Sequence, residues 1–310
     1  MIICVHWFDT SVGVGVRNFA FVMCVLVGFL PGPSSAAPEH LENLRARLQN
    51  LYDQKKYEEA LPIAQKYVQE ATREYGATDA RLAPVLVWAA LVHHALKQYP
   101  DAETAYLRSL SINEKALGPR HPQVADDLSR LVSLYIALER FEEAERLAKR
   151  ALDIREKAVG SEDSVTAQSL SELASIYEWQ RRFAEAEPLY ARSLAIYEKI
   201  LPPDAAAVSN ALIRLTAVYL TLGRYADGAR VTERVLAARE KALGPRHIGI
   251  ADTLELLSRF YTALARGADA EALLKRNLAI REAALGVDHP DVANSLWRLG
   301  TVLFTQGRYA

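Results

Sequence analysis

Cysteine is almost missing from these 310 residues: there are two, Cys4 and Cys24, both in the first 24 positions. From residue 25 onward no disulfide, thiolate nucleophile or cysteine-based zinc site can be built. Charge of one sign is also missing. With 37 Lys and Arg against 38 Asp and Glu, the net is −1, so there is no global basic field of the kind that holds nucleic acid non-specifically. No Gly-rich phosphate loop, HExxH or GxSxG motif occurs, and no enzymatic chemistry or cofactor is expected. The longest apolar run, residues 19–30, has 12 members, short of the roughly 20 that a membrane-spanning helix needs. What is present, 50% hydrophobic and 24% charged residues, excludes disorder and low-complexity classes.

That run follows Arg17 and ends in Pro31, Gly32 and Pro33, then Ser34, Ser35, Ala36 and Ala37. A base, a short apolar stretch and a small-residue exit predict a secretory signal peptide over residues 1–37, with the true start expected near Val16. Cleavage near Ala37 would remove both cysteines. A thiol-free mature chain suits a bacterial periplasmic or secreted protein; an uncleaved leader would act as an anchor.

The remainder is one repeated unit. EKALGPRHPQVA from Glu114 has counterparts starting at Glu156, Glu198, Glu240 and Glu282, always 42 residues apart. Tyr57, Tyr99, Phe141, Phe183, Tyr225 and Tyr309 keep the same step, with Gly267 out of pattern. Leu128, Leu131, Val132 and Tyr135 fall on one face of a first helix; Ala144, Leu147, Ala148, Ala151 and Leu152 do so on a second. Gly118, Gly160, Gly244 and Gly286 read as stops after the second helix, and Pro122 and Pro290 as first-turn residues of the next. A single helix pair cannot bury its apolar face, so neighbours must stack.

Leu-x-x-Leu-small-x-x-Tyr on the first helix, aromatic-x-x-Ala opening the second, and a closing Ala resemble a tetratricopeptide repeat. The 42-residue length is similar to the repeats of kinesin light chains and of many bacterial proteins. The resemblance implies an all-α fold, a right-handed superhelical solenoid of antiparallel helix pairs over residues 38–310. Six units span 41–82, 83–124, 125–166, 167–208, 209–250 and 251–292, with a partial unit at 293–310. Gly228, where other units carry Ala, and Gly267, where they carry an aromatic, predict a soft joint around 225–270; Pro202 and Pro203 predict a stiff connection.

In such solenoids the first helices line a concave groove. Counting Ala125 as unit position one, position two gives Asp126, Gln168, Asn210, Asp252 and Asn294. Position five gives Ser129, Ser171, Glu255 and Trp297, and position six gives Trp88, Arg130, Glu172, Arg214 and Arg298. Position nine adds Ser133, Ser175 and Arg259; positions twelve and thirteen add His94, Glu178 and Trp179. Arginine and tryptophan there suit a peptide or protein partner with an acidic element; self-association is the other form such a contact could take. His121, His247 and His289 share one repeat position and read as helix-start residues. His93 and His94 diverge on one helix, so no metal site is expected. The functional expectation is a non-enzymatic interaction scaffold. The alternative is the substrate-recruiting half of a longer caspase-like (CHAT) peptidase, whose catalytic domain would follow Ala310.

Overall fold

The structure, a computed structural model, describes residues 38–308. The expected signal peptide, and Tyr309 and Ala310 of the partial unit, lie outside the described residues. Thirteen α-helices and one 3-10 turn make up the described chain, without a strand. The helices run α1 Glu39–Asp53, α2 Tyr57–Tyr75, α3 Leu82–Ala95, α4 Tyr99–Leu117, α5 Pro122–Ala137, α6 Phe141–Val159, α7 Ser164–Trp179 and α8 Phe183–Ile200. They continue α9 Ala206–Thr221, α10 Tyr225–Leu243, the turn Ile248–Ile250, α11 Ala251–Ala263, α12 Gly267–Leu285 and α13 Pro290–Thr305. Odd-numbered helices are the first helices of the units and even-numbered ones the second. The described residues form two compact units, one of 38–119 with 133–138, the other of 120–132 with 139–308.

Local signals set these boundaries. Gly76, Gly118, Gly160, Gly244 and Gly286 end second helices at φ between 87° and 100°, where a side chain would be strained. Pro122 and Pro290 open α5 and α13, at positions where a missing N–H leaves no bond unmade. Between the helices of a pair, one residue always adopts the left-handed conformation. It is Lys55, Lys97, Glu139, Arg181, Gly223, Ala265 or Gly307, at a cost of roughly 1 kcal/mol wherever it is not glycine. Only two of the seven are glycine, so composition does not mark this turn.

In the first unit Leu41, Leu48, Ala60, Ala64, Leu82, Ala90, Ala102 and Tyr106 are buried to within 1%. In the second, Ala167, Leu170 and Ile196 form one core cluster with Leu152, Leu189 and Tyr197. Ala270, Leu274 and Val302 form another with Tyr261 and Leu299. The small residue early in each second helix lets its partner approach: Ala102, Ala144, Ala186 and Ala270 are all fully buried. Gly228 takes that place in α10. A methyl there would stand 2.1 Å from Cε1 of Phe260, a buried ring where α3, α7 and α9 place Val92, Ile176 and Val218. The ring fills the space that the missing methyl leaves. Gly267 is likewise covered by Gln306, whose Nε2 lies 2.9 Å from the missing Cβ. A Cβ at either glycine would meet an occupied neighbour, the Phe260 ring or the Gln306 side chain, and the helix-propensity cost of Gly228 stands.

An ionic lattice links successive second helices on the turn side. Arg182 precedes α8, lies 4.3 Å over the Tyr177 ring and donates to Glu145 of α6 at 2.7 Å. Tyr177 donates to the same carboxylate. Burial alone would raise the Glu145 pKa, but bonds from Lys149 and Arg182 bring it below the ordinary value. Arg224, over Tyr219, repeats this with Glu187, and Arg308 with Glu271. At the next equivalent position the acid is replaced by Ala229. Arg266 then pairs with Asp269 of its own helix while lying over Tyr261, and Tyr261 donates to Glu233.

Candidate functional site

Within the larger compact unit, the first-helix face is organised by three arginines on second helices. Arg155, Arg239 and Arg281 share one repeat position and are 6%, 4% and 5% exposed. Each reaches the first helix of its own unit and that of the next. Arg155 donates to Asp126 at 2.8 Å and Ser129 at 3.0 Å, and forward to Ser169 at 2.6 Å. Arg281 donates to Asp252 at 2.7 Å and Glu255 at 3.0 Å, and forward to Ser295 at 2.9 Å. Arg239 donates to Ser209 and Thr253, and to the Pro203 carbonyl at 2.8 Å. A buried guanidinium with acceptors on both flanks, charged ones only on the own-unit side of Arg155 and Arg281, holds adjacent first helices in register, because leaving any donor unmet inside the protein is costly. These residues were not anticipated. On a second helix an arginine reads as solvated, and only its fixed offset from Asp126 and Asp252 marks it otherwise.

The sequence-predicted residues divide in two. Asp126, Ser129, Glu172, Asp252 and Glu255 are engaged inside the chain. Besides its bond from Arg155, Ser129 donates to Glu172 at 2.9 Å, and Glu172 lies 3.8 Å from Arg155. Burial raises the Glu172 pKa despite the attraction of Arg155 and the Ser129 bond. Ser171 shares a 2.7 Å bond with Ser193, which donates to the Ala167 carbonyl. Ser133 is half-buried and belongs to the other compact unit. Trp88 does not line the face. It is 7% exposed and meets Tyr52 edge-on at 5.9 Å, because α3 is apolar all round and is covered on both sides.

The second group is presented outward. Trp297 is 66% exposed, with Arg298 5.8 Å from its ring. Nε of Arg298 lies 2.7 Å from Glu255, though too bent for a hydrogen bond. Partial burial, then the Arg298 cation, lowers the Arg259 pKa, with Glu255 opposing. Asn294 of α13 is exposed on the same helix as Trp297. On α9, Asn210 is exposed and Arg214 stands 3.7 Å from Glu178; Glu178 also accepts from Tyr190 at 2.8 Å. On α5, Arg130 bonds Asp127 at 3.1 Å. Trp179 is 44% exposed and stacks at 6.4 Å on Phe141, at the turn end of α7 and away from the cluster around Trp297. So α11, α12 and α13 bring together Arg259, Trp297, Arg298 and the Asp252–Arg281–Glu255 set, while Trp179 belongs to the edge.

The repeated histidines are caps. Nδ1 of His121, His247 and His289 accepts the backbone N–H two residues on, at 3.3, 3.1 and 3.1 Å, as Asp79 and Asp163 do at the same repeat position. Among the described residues no group of three metal-ligating side chains occurs, and no helix is long and apolar enough to cross a membrane.

Stacked helix pairs with buried inter-repeat arginines and an outward polar first-helix face define an α-helical repeat array. The tetratricopeptide repeat model matches residues 81–157, 165–241 and 249–310, and the chain belongs to that family. The three matches start 84 residues apart, two units each, and Arg130, Arg214 and Arg298 fall at that same step. A putative kinesin light chain from Podosopora anserina with nearly identical repeats superposes at a TM-score of 0.58 and 24% identity, over 66% of this chain and 97% of that one. BtubC (BKLC) from P. vanneervenii gives 0.56 and 22%, over 82% and 95%. The apo form of RapI gives 0.63 and 14%, over 87% and 73%. Kinesin-light-chain-like repeats of this type are the fold of the chain. No curated sequence matches it.

Proposed function

We propose that the chain is a non-enzymatic scaffold that holds an extended peptide, or a segment of a folded protein, along its first-helix groove. Its place of work, on the signal-like leader, is the bacterial periplasm or the exterior. The observation that carries the reading is the fate of the charges. Asp126, Glu172, Asp252 and Glu255 are engaged with the chain's own arginines, while Trp297, Arg259, Asn210 and Asn294 are presented outward. Asp126 and Asp252 stand at the same surface but are neutralised by Arg155 and Arg281, so the groups left for a partner are a cation, amides and an indole, which favours an acidic segment with an apolar anchor. The neighbouring kinesin-light-chain-like structures support the scaffold class and do not name a partner.

The test is in-cell crosslinking with mass spectrometry on the full natural chain and on a variant with Arg259→Ser and Trp297→Ala. Reversing Arg130, Arg214 and Arg298 instead would set carboxylates against Asp127, Glu178 and Glu255 and report folding failure. A partner captured by the wild type and lost by the variant supports the groove. Equal capture by both removes it.

A further inference from the structure

Arg155 and Arg281 each meet an aspartate at position two of their own first helix, Asp126 and Asp252. Those carboxylates stand at the open surface, 51% and 81% exposed, and neutralise guanidinium groups that are almost wholly buried. Where the arginine is absent the acid is absent too: Tyr197 occupies the arginine position opposite Gln168. The unit at 209–250 breaks this correlation. It keeps the arginine, Arg239 at 4% exposure, but its position-two residue is the exposed Asn210. The donors of Arg239 end on a serine, a threonine and a carbonyl, all uncharged. Burial lowers its pKa, and Asp252 and Asp204 oppose this from a distance without bonding it. One turn along α9 stands a second cation, Arg214, and the position-five residue is Ile213, 44% exposed.

We propose that Asn210 marks a carboxylate-binding site, at which an Asp or Glu side chain of the bound polypeptide takes the place that Asp126 and Asp252 hold in their own units. Arg239 supplies the buried charge, the Asn210 amide donates to the second carboxylate oxygen, and Ile213 offers apolar contact to the adjoining side chain. An incoming acid suits this place better than an amide because a buried guanidinium gains most from a charged acceptor. The inference rests on the groove reading and assigns that groove its anchoring residue.

The test uses the full chain and three tetrapeptides: polyglutamate capped at both ends, polyglutamine capped at both ends, and polyglutamine with a free C-terminal carboxylate. The readouts are the Arg239 Nε–Hε resonance and the dissociation constant. Expected are a shifted resonance and binding with capped polyglutamate and none with capped polyglutamine. Response to the free C-terminus alone would replace the side chain by a chain terminus and overturn the assignment. Asn210→Asp supplies the carboxylate from within, so it should raise Tm and weaken polyglutamate binding at least tenfold. Val287→Asp adds the same charge at a loop position outside the groove that is 69% exposed, and should change binding less than threefold.

Equal binding by wild type and Asn210→Asp, or no resonance shift at millimolar polyglutamate, overturns the proposal. If the crosslinked partner is still lost on Arg259→Ser with Trp297→Ala, the groove stands and only this site falls. If that double variant retains its partner while polyglutamate still reports on Arg239, the broader groove reading falls and this site stands.

Discussion

Helix propensity alone says that Gly228→Ala should stabilise the protein by about 1 kcal/mol, since the position is interior to α10. The packing says the opposite. The added methyl would stand 2.1, 2.3 and 2.8 Å from three carbons of the Phe260 ring. Phe260 is fully buried, so the ring cannot swing into solvent, and overpacking of this kind costs about 1–3 kcal/mol. Three short contacts put the clash at the upper end, and the net expectation is destabilisation by about 2 kcal/mol after the propensity gain. The companion change Phe260→Val reproduces the Val218 of α9 and Val92 of α3. Alone it leaves a cavity and costs about 2–4 kcal/mol. Combined with Gly228→Ala it restores the pairing used elsewhere, so the double variant should be more stable than either single one. The two changes should couple by at least about 2 kcal/mol, which contacting residues can do and distant ones cannot. Denaturant titration of all four proteins, read at constant m-value, measures the cycle. A stabilising Gly228→Ala, or additive single changes, would refute the idea that ring and glycine form one packing unit.

Four further outcomes follow from the same geometry. Arg281→Met removes a buried cation that meets Asp252, Glu255 and Ser295, and should cost roughly 3 kcal/mol in chemical denaturation. Ala265→Gly relieves a left-handed φ of 57° and should stabilise by about 0.5–1 kcal/mol, with Gly223→Ala doing the reverse. Glu172 has its pKa raised by burial. The folded chain therefore holds that proton more tightly than the unfolded one, and the stability it contributes is lost as pH rises above the ordinary Glu value through the folded one. Glu172→Gln should flatten that part of the stability–pH curve, and an unchanged curve would count against the burial. Amide hydrogen exchange should be faster over 225–270 than over α6 and α8, which Arg182 bridges, because Ala229 leaves Arg266 without a partner on the preceding second helix.

The frame of this fold is legible at a glance in the sequence, and its cross-links are not. A repeat with no insertion fixes the alternation of helices, because glycine stops and first-turn prolines recur at one register and the apolar period is helical throughout. The left-handed turn escapes notice because Lys, Glu, Arg and Ala hold most of its places and the surrounding helices force the conformation. Trp88 departs from its register: position six faces outward where the helix has a polar face, and α3 is apolar around this residue. The arginine links are hidden in the sequence for a related reason. Register tells which helix a residue is on but not whether a long side chain lies along the surface or dives between helices. Only pairs of positions, Arg155 with Asp126 and Arg281 with Asp252, carry that information.

Two charge lattices thus divide the work of the array. On the turn side, Arg182 and Arg224 tie α8 and α10 to the second helix before them, and Arg308 reaches back to Glu271 of α12, through half-exposed pairs. Such pairs are individually weak at the surface but recur along the chain. On the first-helix side, Arg155, Arg239 and Arg281 tie their units to the next through buried bonds, and Tyr197 leaves the unit at 167–208 without such a link. In a linear array each interface contributes separately, so a defect in one lattice is local. Ala229 removes a turn-side link in the same unit where Asn210 leaves a first-helix arginine without its acid. The unit at 209–250 thus lacks one element of each lattice, although Arg214, Arg224, Arg234 and Glu240 still pair with neighbouring units. A partner carboxylate arriving at Asn210 would restore there the bond that this chain supplies for itself at Asp126 and Asp252. Binding and stiffening of that unit should consequently be one event, and hydrogen exchange over 225–270 should slow when capped polyglutamate is bound. If exchange there is unchanged at saturating peptide, the carboxylate is not reaching Arg239, whatever its affinity.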